Sequence, residues 1–278
     1  MMTAAKRQQI IKLSIVYIFC TIMTLCVLIP FALVILNSFK SVSEAAIIDF
    51  SLPEKFMFEN YAHVIQEGKL FRAFGNSMLI TCTVVFFTVI LASMTAFVIG
   101  RRDDKFGKFT YGYFLIGLIA PLALIPEVVI VKLLGLSGTY IAPILIHIAI
   151  RLPLSVMLYT GFIKGIPVSL DECAMLDGCG PFRMFFNIIF PLLKPVIFTN
   201  IILTFMAVWN DFQISLYFLS DSKMQTLPLG IYNFVGFMTY KWNYVCAFIV
   251  ITILPIIVVY LLAQKYIIEG MVAGAVKG

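Results

Sequence analysis

Glu127, His147, Arg151 and Asp211 fall well inside strongly apolar stretches of this 278-residue chain. Charge at such a position is costly, by roughly 2.5–3.5 kcal/mol on insertion scales, and marks a functional candidate by default. Asp211 stands in the run Trp209-Asn210-Asp211-Phe212-Gln213. An aromatic face beside a carboxylate and amides is what a polyhydroxylated ligand such as a sugar needs, for stacking and for hydrogen bonds. Asn and Asp also serve as internal helix–helix hydrogen-bonding groups, so a purely structural role stays open. Arg151 has Asp211 and Glu127 as possible partners, and a structural ion pair is the favoured reading. Glu127, after Pro126, is placed to reach a water-filled cavity. His147 reads as a packed, hydrogen-bonded residue rather than a ligand.

The chain carries no pattern for catalysis. There is no G-x-x-x-x-G-K-[ST] phosphate loop, no H-E-x-x-H pair and no G-x-S-x-G elbow. His63 and His147 lie far apart. Spacing alone leaves an intramembrane Ser/Lys or Asp/Asp enzyme open, and nothing in the chain supports one. Of the six cysteines, Cys20, Cys26, Cys82 and Cys246 sit in apolar runs, where Cys behaves as a small hydrophobe. Cys173 and Cys179 form a C-x5-C pair that matches no common zinc spacing. Neither a metal site nor a disulfide framework is expected.

The elements that hold these residues follow from composition. Hydrophobic residues make up 62% and charged residues 12%, against about 45–50% and 25% in soluble globular proteins. Mean hydropathy is +1.03. A soluble fold of this size could not keep so much apolar surface from water. That excludes a soluble enzyme, a disordered chain and a disulfide-rich secreted domain. A spanning helix needs about 20 predominantly apolar residues. Six stretches qualify, near Leu13–Leu36, Phe74–Gly100, Phe109–Lys132, Ile141–Ile163, Leu192–Leu219 and Val245–Ala263. Helices satisfy their own backbone groups in lipid, so an all-α membrane protein of six spans is expected. The first run is too long for a signal-peptide core and ends without a clear cleavage site, so it reads as a retained helix.

The net charge of +6 is the signature of basic cytoplasmic loops rather than of nucleic-acid binding. With the N-terminus inside, the inner segments hold most of the 20 Lys and Arg residues, including Arg101, Arg102, Lys105, Lys108, Lys164, Arg183 and Lys194. The bias favours both termini on the cytoplasmic side. The longest outer segment runs from about Asn37 to Ala73, and another from about Ser220 to Asn243. The 1–278 chain reads as a single membrane domain.

The inner loop between spans four and five, about 164–191, carries the most information. Ser169 and Glu172 match an S-x-x-E capping box, and Asp171 and Glu172 suit the start of a helix. Gly178 and Gly180 can stop that helix after about two turns, at Asp177, and Pro181 can open another. In the second helix Phe182, Phe185, Phe186 and Ile189 would form one apolar face lying at the membrane surface. Pro191 and Pro195 mark the entry to span five. A short capped helix projecting from a membrane domain is by shape a protein-docking element; an ordinary loop with good turn chemistry is the alternative.

Glu172-Cys-Ala174-x-x-Asp177-Gly178, followed by Ile188-x-x-Pro191-x-x-x-Pro195, resembles the EAA loop of bacterial ABC importer permeases, with Cys173 where the family usually has Ala. In that family the loop is the coupling helix seated in a cleft of a separate ATPase. Further landmarks resemble the carbohydrate-uptake, maltose-type branch: Leu36-Asn-Ser-Phe-Lys40, Asn76-Ser77, Trp209-Asn-Asp-Phe212, Thr226-Leu-Pro-Leu-Gly230 and Glu269-Gly-Met-Val-Ala-Gly-Ala-Val-Lys-Gly278. The resemblance implies a type I importer permease fold and a sugar-import function by alternating access. It places ATPase coupling at Asp171, Glu172, Ala174, Asp177, Gly178, Pro191 and Pro195, and the substrate pathway at Trp209, Asn210, Asp211, Phe212 and Gln213. It implies a second homologous permease, two ATP-binding subunits and an extracytoplasmic sugar-binding protein as partners, in the cell membrane. The chain itself would hold no cofactor, ATP and Mg being bound by the ATPase. Alternatives are a permease for another solute such as a polyamine, or a proton-coupled secondary carrier using Asp211 and Arg151 as a relay.

Overall fold

In the computed structural model the described residues are 4–120, 122–235 and 241–275. The end of the terminal motif, Val276-Lys277-Gly278, lies outside them. The described residues are almost entirely helical. In order they form α1 (Ala4–Ser38), α2 (Glu59–Glu67), α3 (Leu70–Gly100), α4 (Lys105–Ile119), α5 (Leu124–Leu133), α6 (Ile141–Ile163) and α7 (Ser169–Leu176). There follow α8 (Pro181–Met184), a π-turn (Phe185–Ile189), α9 (Phe190–Leu192), α10 (Lys194–Trp209), α11 (Gln213–Phe218), α12 (Leu227–Gly230) and α13 (Trp242–Ala275).

Four helices are long and apolar enough to cross a membrane by themselves, over Lys12–Ser38, Leu70–Gly100, Ile141–Ile163 and Trp242–Leu261. Two more spans are broken. Lys105–Ile119 and Leu124–Leu133 meet at 115°, and Pro181–Leu192 and Lys194–Trp209 meet at 78°. Counting each bent pair as one span, the six expected spans are four continuous helices and two bent ones. The second bend is framed by Pro191 in α9 and Pro195 in the first turn of α10. A proline lacks the N–H that would carry the ladder through, so bends collect there.

The chain divides into two compact units: residues 1–70 with 231–253, and residues 71–230 with 254–278. In the first, Phe39 packs its ring against Phe56, Phe58 and Tyr61. Asn37, Ser38, Lys40 and Asn60 are all buried there, which is affordable only because each is hydrogen-bonded. Asn60 Nδ2 donates to the carbonyls of Ser38 (2.8 Å) and Lys40 (2.9 Å). Ser38 bonds Tyr61 at 2.6 Å. Lys40 donates to the Asp49 carbonyl and pairs with its carboxylate. The Leu36–Lys40 landmark is thus the point where the first span is tied to the segment that follows it, through Asp49 and Asn60.

In the second unit the main core joins α3, α6 and the α8–α10 segment. It contains Ala92, Ala96, Ile99, Val156, Tyr159, Ile163, Phe185, Ile189 and Leu193. Small residues on α3 allow close helix approach. A polar pin crosses this core: Asn200 on α10 lies 2.8 Å from Ser155 Oγ and donates to Tyr159 Oη at 3.1 Å.

The surface helix after the loop departs from the expected face. Phe182 and Phe186 are exposed, while Met184, Phe185 and Ile189 are buried. The π-turn over Phe185–Ile189 adds a residue per turn, so the 3.6-residue stripe Phe182, Phe185, Phe186, Ile189 does not stay in line.

Candidate functional site

The loop after the fourth span contains the helix foreseen in the sequence, over Ser169–Leu176. Its start differs. Val168 already has helical dihedrals (φ −66°, ψ −25°) and no side chain caps the helix. An N-cap residue needs extended backbone. Ser169 lies inside the first turn instead, so the expected Ser169/Glu172 capping box does not form. The first-turn amides of Asp171 and Glu172 are met by the Val168 carbonyl, at 2.9 and 3.1 Å.

The end of the helix is as expected. Gly178 has φ +74°. Its N–H donates to the Met175 carbonyl at 3.0 Å, and the Cys179 N–H to the Ala174 carbonyl at 2.9 Å. This is the paired-bond turn that a left-handed glycine permits. A Cβ at Gly178 would meet no neighbouring atom, so the demand for glycine comes from the backbone alone.

The helix has two faces. Asp171 and Ala174 turn inward and are buried. Glu172, Cys173, Asp177, Met175 and Leu176 are exposed, Leu176 at 88%. Met175 and Leu176 thus place two adjacent apolar side chains at the surface of a polar loop. Pro191 and Pro195 sit at the bend beyond, not on this helix.

One partner of this helix was not legible locally. Arg101, just beyond α3, donates from Nε to Asp171 Oδ2 at 2.6 Å and from Nη2 to Oδ1 at 3.1 Å. In the sequence Arg101 is only one charge of a basic loop, and 70 residues separate the pair. No periodicity connects them.

The second candidate group lies at a break in the fifth span. Residues 210–212 separate α10 from α11. Trp209 is 1% exposed. Its ring stacks on Phe205 (5.3 Å between centroids) and meets Phe74 edge-on at 5.7 Å. The ring is therefore packed within the chain. Asn210 is exposed and its amide returns to the Met206 carbonyl at 2.8 Å. Asp211 accepts from the Ile214 N–H (3.3 Å) and the Ser215 N–H (3.1 Å), capping α11. Phe212 is half-buried and Gln213 exposed.

His147 on α6, buried, brings Nε2 to 3.6 Å from Asp211 Oδ2. It is thus the nearest basic group to Asp211, in keeping with its reading as a packed residue. The expected ion pair of Arg151 is not formed: among the described residues it pairs with neither Asp211 nor Glu127, and its Nε is buried without a partner. The helix break explains this, because it turns the Asp211 carboxylate onto the α11 amides and His147. Glu127 lines a mostly apolar cavity of about 370 Å³ between α4, α5 and α6, with Ile130, Leu145, Ile146 and Ile150. Among the described residues no cluster of His, Cys, Asp or Glu could hold a metal.

Residues 89–272 match the family described as the binding-protein-dependent transport system inner membrane component. The chain is 35% identical to the probable starch degradation products transport system permease protein AmyC of Thermoanaerobacterium thermosulfurigenes, over 89% of this chain and 91% of that protein. It is also 35% identical to the melibiose/raffinose/stachyose import permease protein MelC of Bacillus subtilis, over 90% of this chain and 91% of that protein. A crystal structure of a bacterial ABC transporter involved in the import of the acidic polysaccharide alginate has a chain of the same fold. It superposes with a TM-score of 0.83 at 21% identity, covering 96% of this chain and 99% of that one. The fold is therefore the six-span, all-α architecture of an ABC importer permease, a multi-pass membrane protein without enzymatic activity. The matched residues take in the loop helix and the fifth span, and the chain belongs to the inner-membrane components of binding-protein-dependent transport systems.

Proposed function

We propose that this chain is the membrane-spanning subunit of an ATP-driven importer for a sugar or oligosaccharide. The observation that carries this reading is the relatives' similarity over nine-tenths of the chain, with names that specify oligosaccharides. The exposed Met175 and Leu176 on the glycine-terminated loop helix support it from the structural side. In this reading two permease subunits, this chain and a homologous partner, enclose the pathway. An extracytoplasmic binding protein delivers sugar to the outer face. Two ATPase subunits bind ATP and Mg, receive the loop helices in their clefts and drive alternating access. This chain supplies pathway and lever and holds no cofactor. Both termini and the 164–191 loop face the cytoplasm.

Coupling belongs to the loop helix and the bend behind it: Asp171, Glu172, Ala174, Asp177, Gly178, Pro191 and Pro195. For the 209–213 group the packing refines the assignment. Trp209 shapes the pathway from within the wall, and Asn210 and Gln213 are the exposed members able to meet a sugar hydroxyl. The proton-carrier alternative would use Arg151 and Asp211 as a relay, and no ion pair joins them among the described residues. The polyamine alternative has no structural observation in its favour.

The test is uptake of labelled melibiose, raffinose and maltotriose into proteoliposomes that hold the complete transporter, with ATP inside and the binding protein outside. ATP-dependent uptake that survives a proton ionophore is expected. Uptake abolished by the ionophore, or displaced by spermidine and not by sugars, would overturn the reading.

A further inference from the structure

Arg101 follows Gly100, the last residue of α3. Besides the two bonds to Asp171, its Nη1 lies 2.9 Å from the Ile166 carbonyl and 3.3 Å from that of Ile163, the last residue of α6. The Arg101 and Asp171 side chains are 14% and 6% exposed. A planar guanidinium can hold a carboxylate with one edge and carbonyls with another; a lysine ammonium cannot. The two helix ends that flank this side chain are in tight contact. A Cβ built on Gly100 would stand 2.8 Å from Ile163 Cγ2. Three elements therefore meet at one guanidinium: the end of the second span, the end of the fourth span and the first turn of the loop helix.

A helix of eight residues is marginal alone. Its far end is closed by Gly178, and its near end lacks a side-chain cap. What fixes its direction is the grip on Asp171. A buried ion pair is weak evidence for stability, because desolvation offsets much of the attraction. Its contribution here is geometry, since two parallel bonds define both position and angle.

We propose that Arg101 is the positioning residue that locks the loop helix to the inner ends of spans two and four, so that a push on the helix reaches both spans as one rigid piece. The proposal rests on the reading of α7 as the ATPase-coupling helix and adds the route by which its displacement enters the membrane. Without the lock, the helix tilts in its cleft and absorbs the stroke.

The experiment is a double-mutant cycle on the complete transporter in proteoliposomes, with Arg101→Ala, Asp171→Ala, the double variant and Arg101→Lys. The readout is labelled raffinose and maltotriose taken up per ATP hydrolysed, per assembled complex. Each single alanine variant should lower that ratio at least tenfold, and the double variant no further, because the pair acts as a unit. Arg101→Lys should fall between wild type and Arg101→Ala. If a variant sheds the ATPase, retained ATPase is scored in the same cycle with the same non-additivity expected. Single variants within twofold of wild type, or losses that multiply in the double variant, would overturn the lock. A wild-type chain that holds no ATPase overturns the coupling reading and the lock with it. A wild type that holds the ATPase and takes up neither sugar overturns only the sugar reading, and the cycle is then scored on ATP hydrolysis.

Discussion

Ser77 Oγ accepts a hydrogen bond from the Leu227 N–H at 2.9 Å, across 150 residues of chain. Beside it, Asn76 Nδ2 donates to the carbonyls of Lys223 (3.0 Å) and Gln225 (2.9 Å), and Asn76 Oδ1 accepts from Tyr140 Oη at 2.9 Å. Two separate sequence landmarks, Asn76-Ser77 and Thr226–Gly230, are thus halves of one latch between α3 and the 220–230 loop.

Breaking the latch should loosen the 220–230 loop without unfolding the spans. Ser77→Ala leaves the buried Leu227 N–H without its acceptor, at a cost of about 1–3 kcal/mol. Asn76→Ala strands two carbonyls and a tyrosine hydroxyl and should cost more. Hydrogen exchange of residues 220–230 should accelerate in both variants, more in the second, with no change in the amides of α10. Unchanged exchange in Asn76→Ala would refute the latch.

Gly178 tests the loop helix at its closed end. An L-residue forced into left-handed backbone costs roughly 1–2 kcal/mol, and a β-branched one more. No neighbour crowds the site, so Gly178→Asn should be nearly neutral, Gly178→Ala intermediate and Gly178→Val worst. Co-purified ATPase per permease should fall in that order. Equal retention by Asn and Val variants would remove the backbone argument.

Glu172 separates docking from folding. Its side chain is exposed and does not complete a cap. Glu172→Ala should therefore leave the thermal stability of the isolated permease unchanged within error, while ATPase retention drops severalfold. A lowered melting temperature with normal ATPase retention would reverse the assignment.

The 41–54 segment should respond to acid. Asp49 is held at a pKa of about 2 by hydrogen bonds from Lys40 and Ser51, and Glu44 at about 2 by those from Glu54 and Ser41. The ordinary values are 3.8 and 4.5. A depressed carboxylate stabilises the fold above its unfolded pKa, and that contribution fades as pH falls toward the folded one. Protease sensitivity of residues 41–54 should stay flat down to about pH 5 and rise between about pH 4 and 2. Asp49→Asn should raise sensitivity at neutral pH and flatten the remaining dependence. A rise centred above about pH 5 would overturn the assignment to these two carboxylates.

Composition and short-range pattern determined much of this protein. The length of the apolar runs specified six spans, because lipid admits only backbone that satisfies itself. Gly178 and Pro181 specified where the loop helix stops and the next begins, since φ > 0 and a missing N–H are properties of single residues. The motif register placed the chain in its family. Other features depended on groups distant in the chain. Val168 took helical dihedrals, so the Ser169 cap did not form, and Asp171 was claimed by Arg101 just beyond α3. A π-turn moved Phe186 out of the buried face. The break at residues 210–212 gave Asp211 to the α11 amides and left Arg151 without its expected partner. Each of these was decided by which hydrogen-bonding group came within about 3 Å, a matter of tertiary approach that spacing along the chain does not encode.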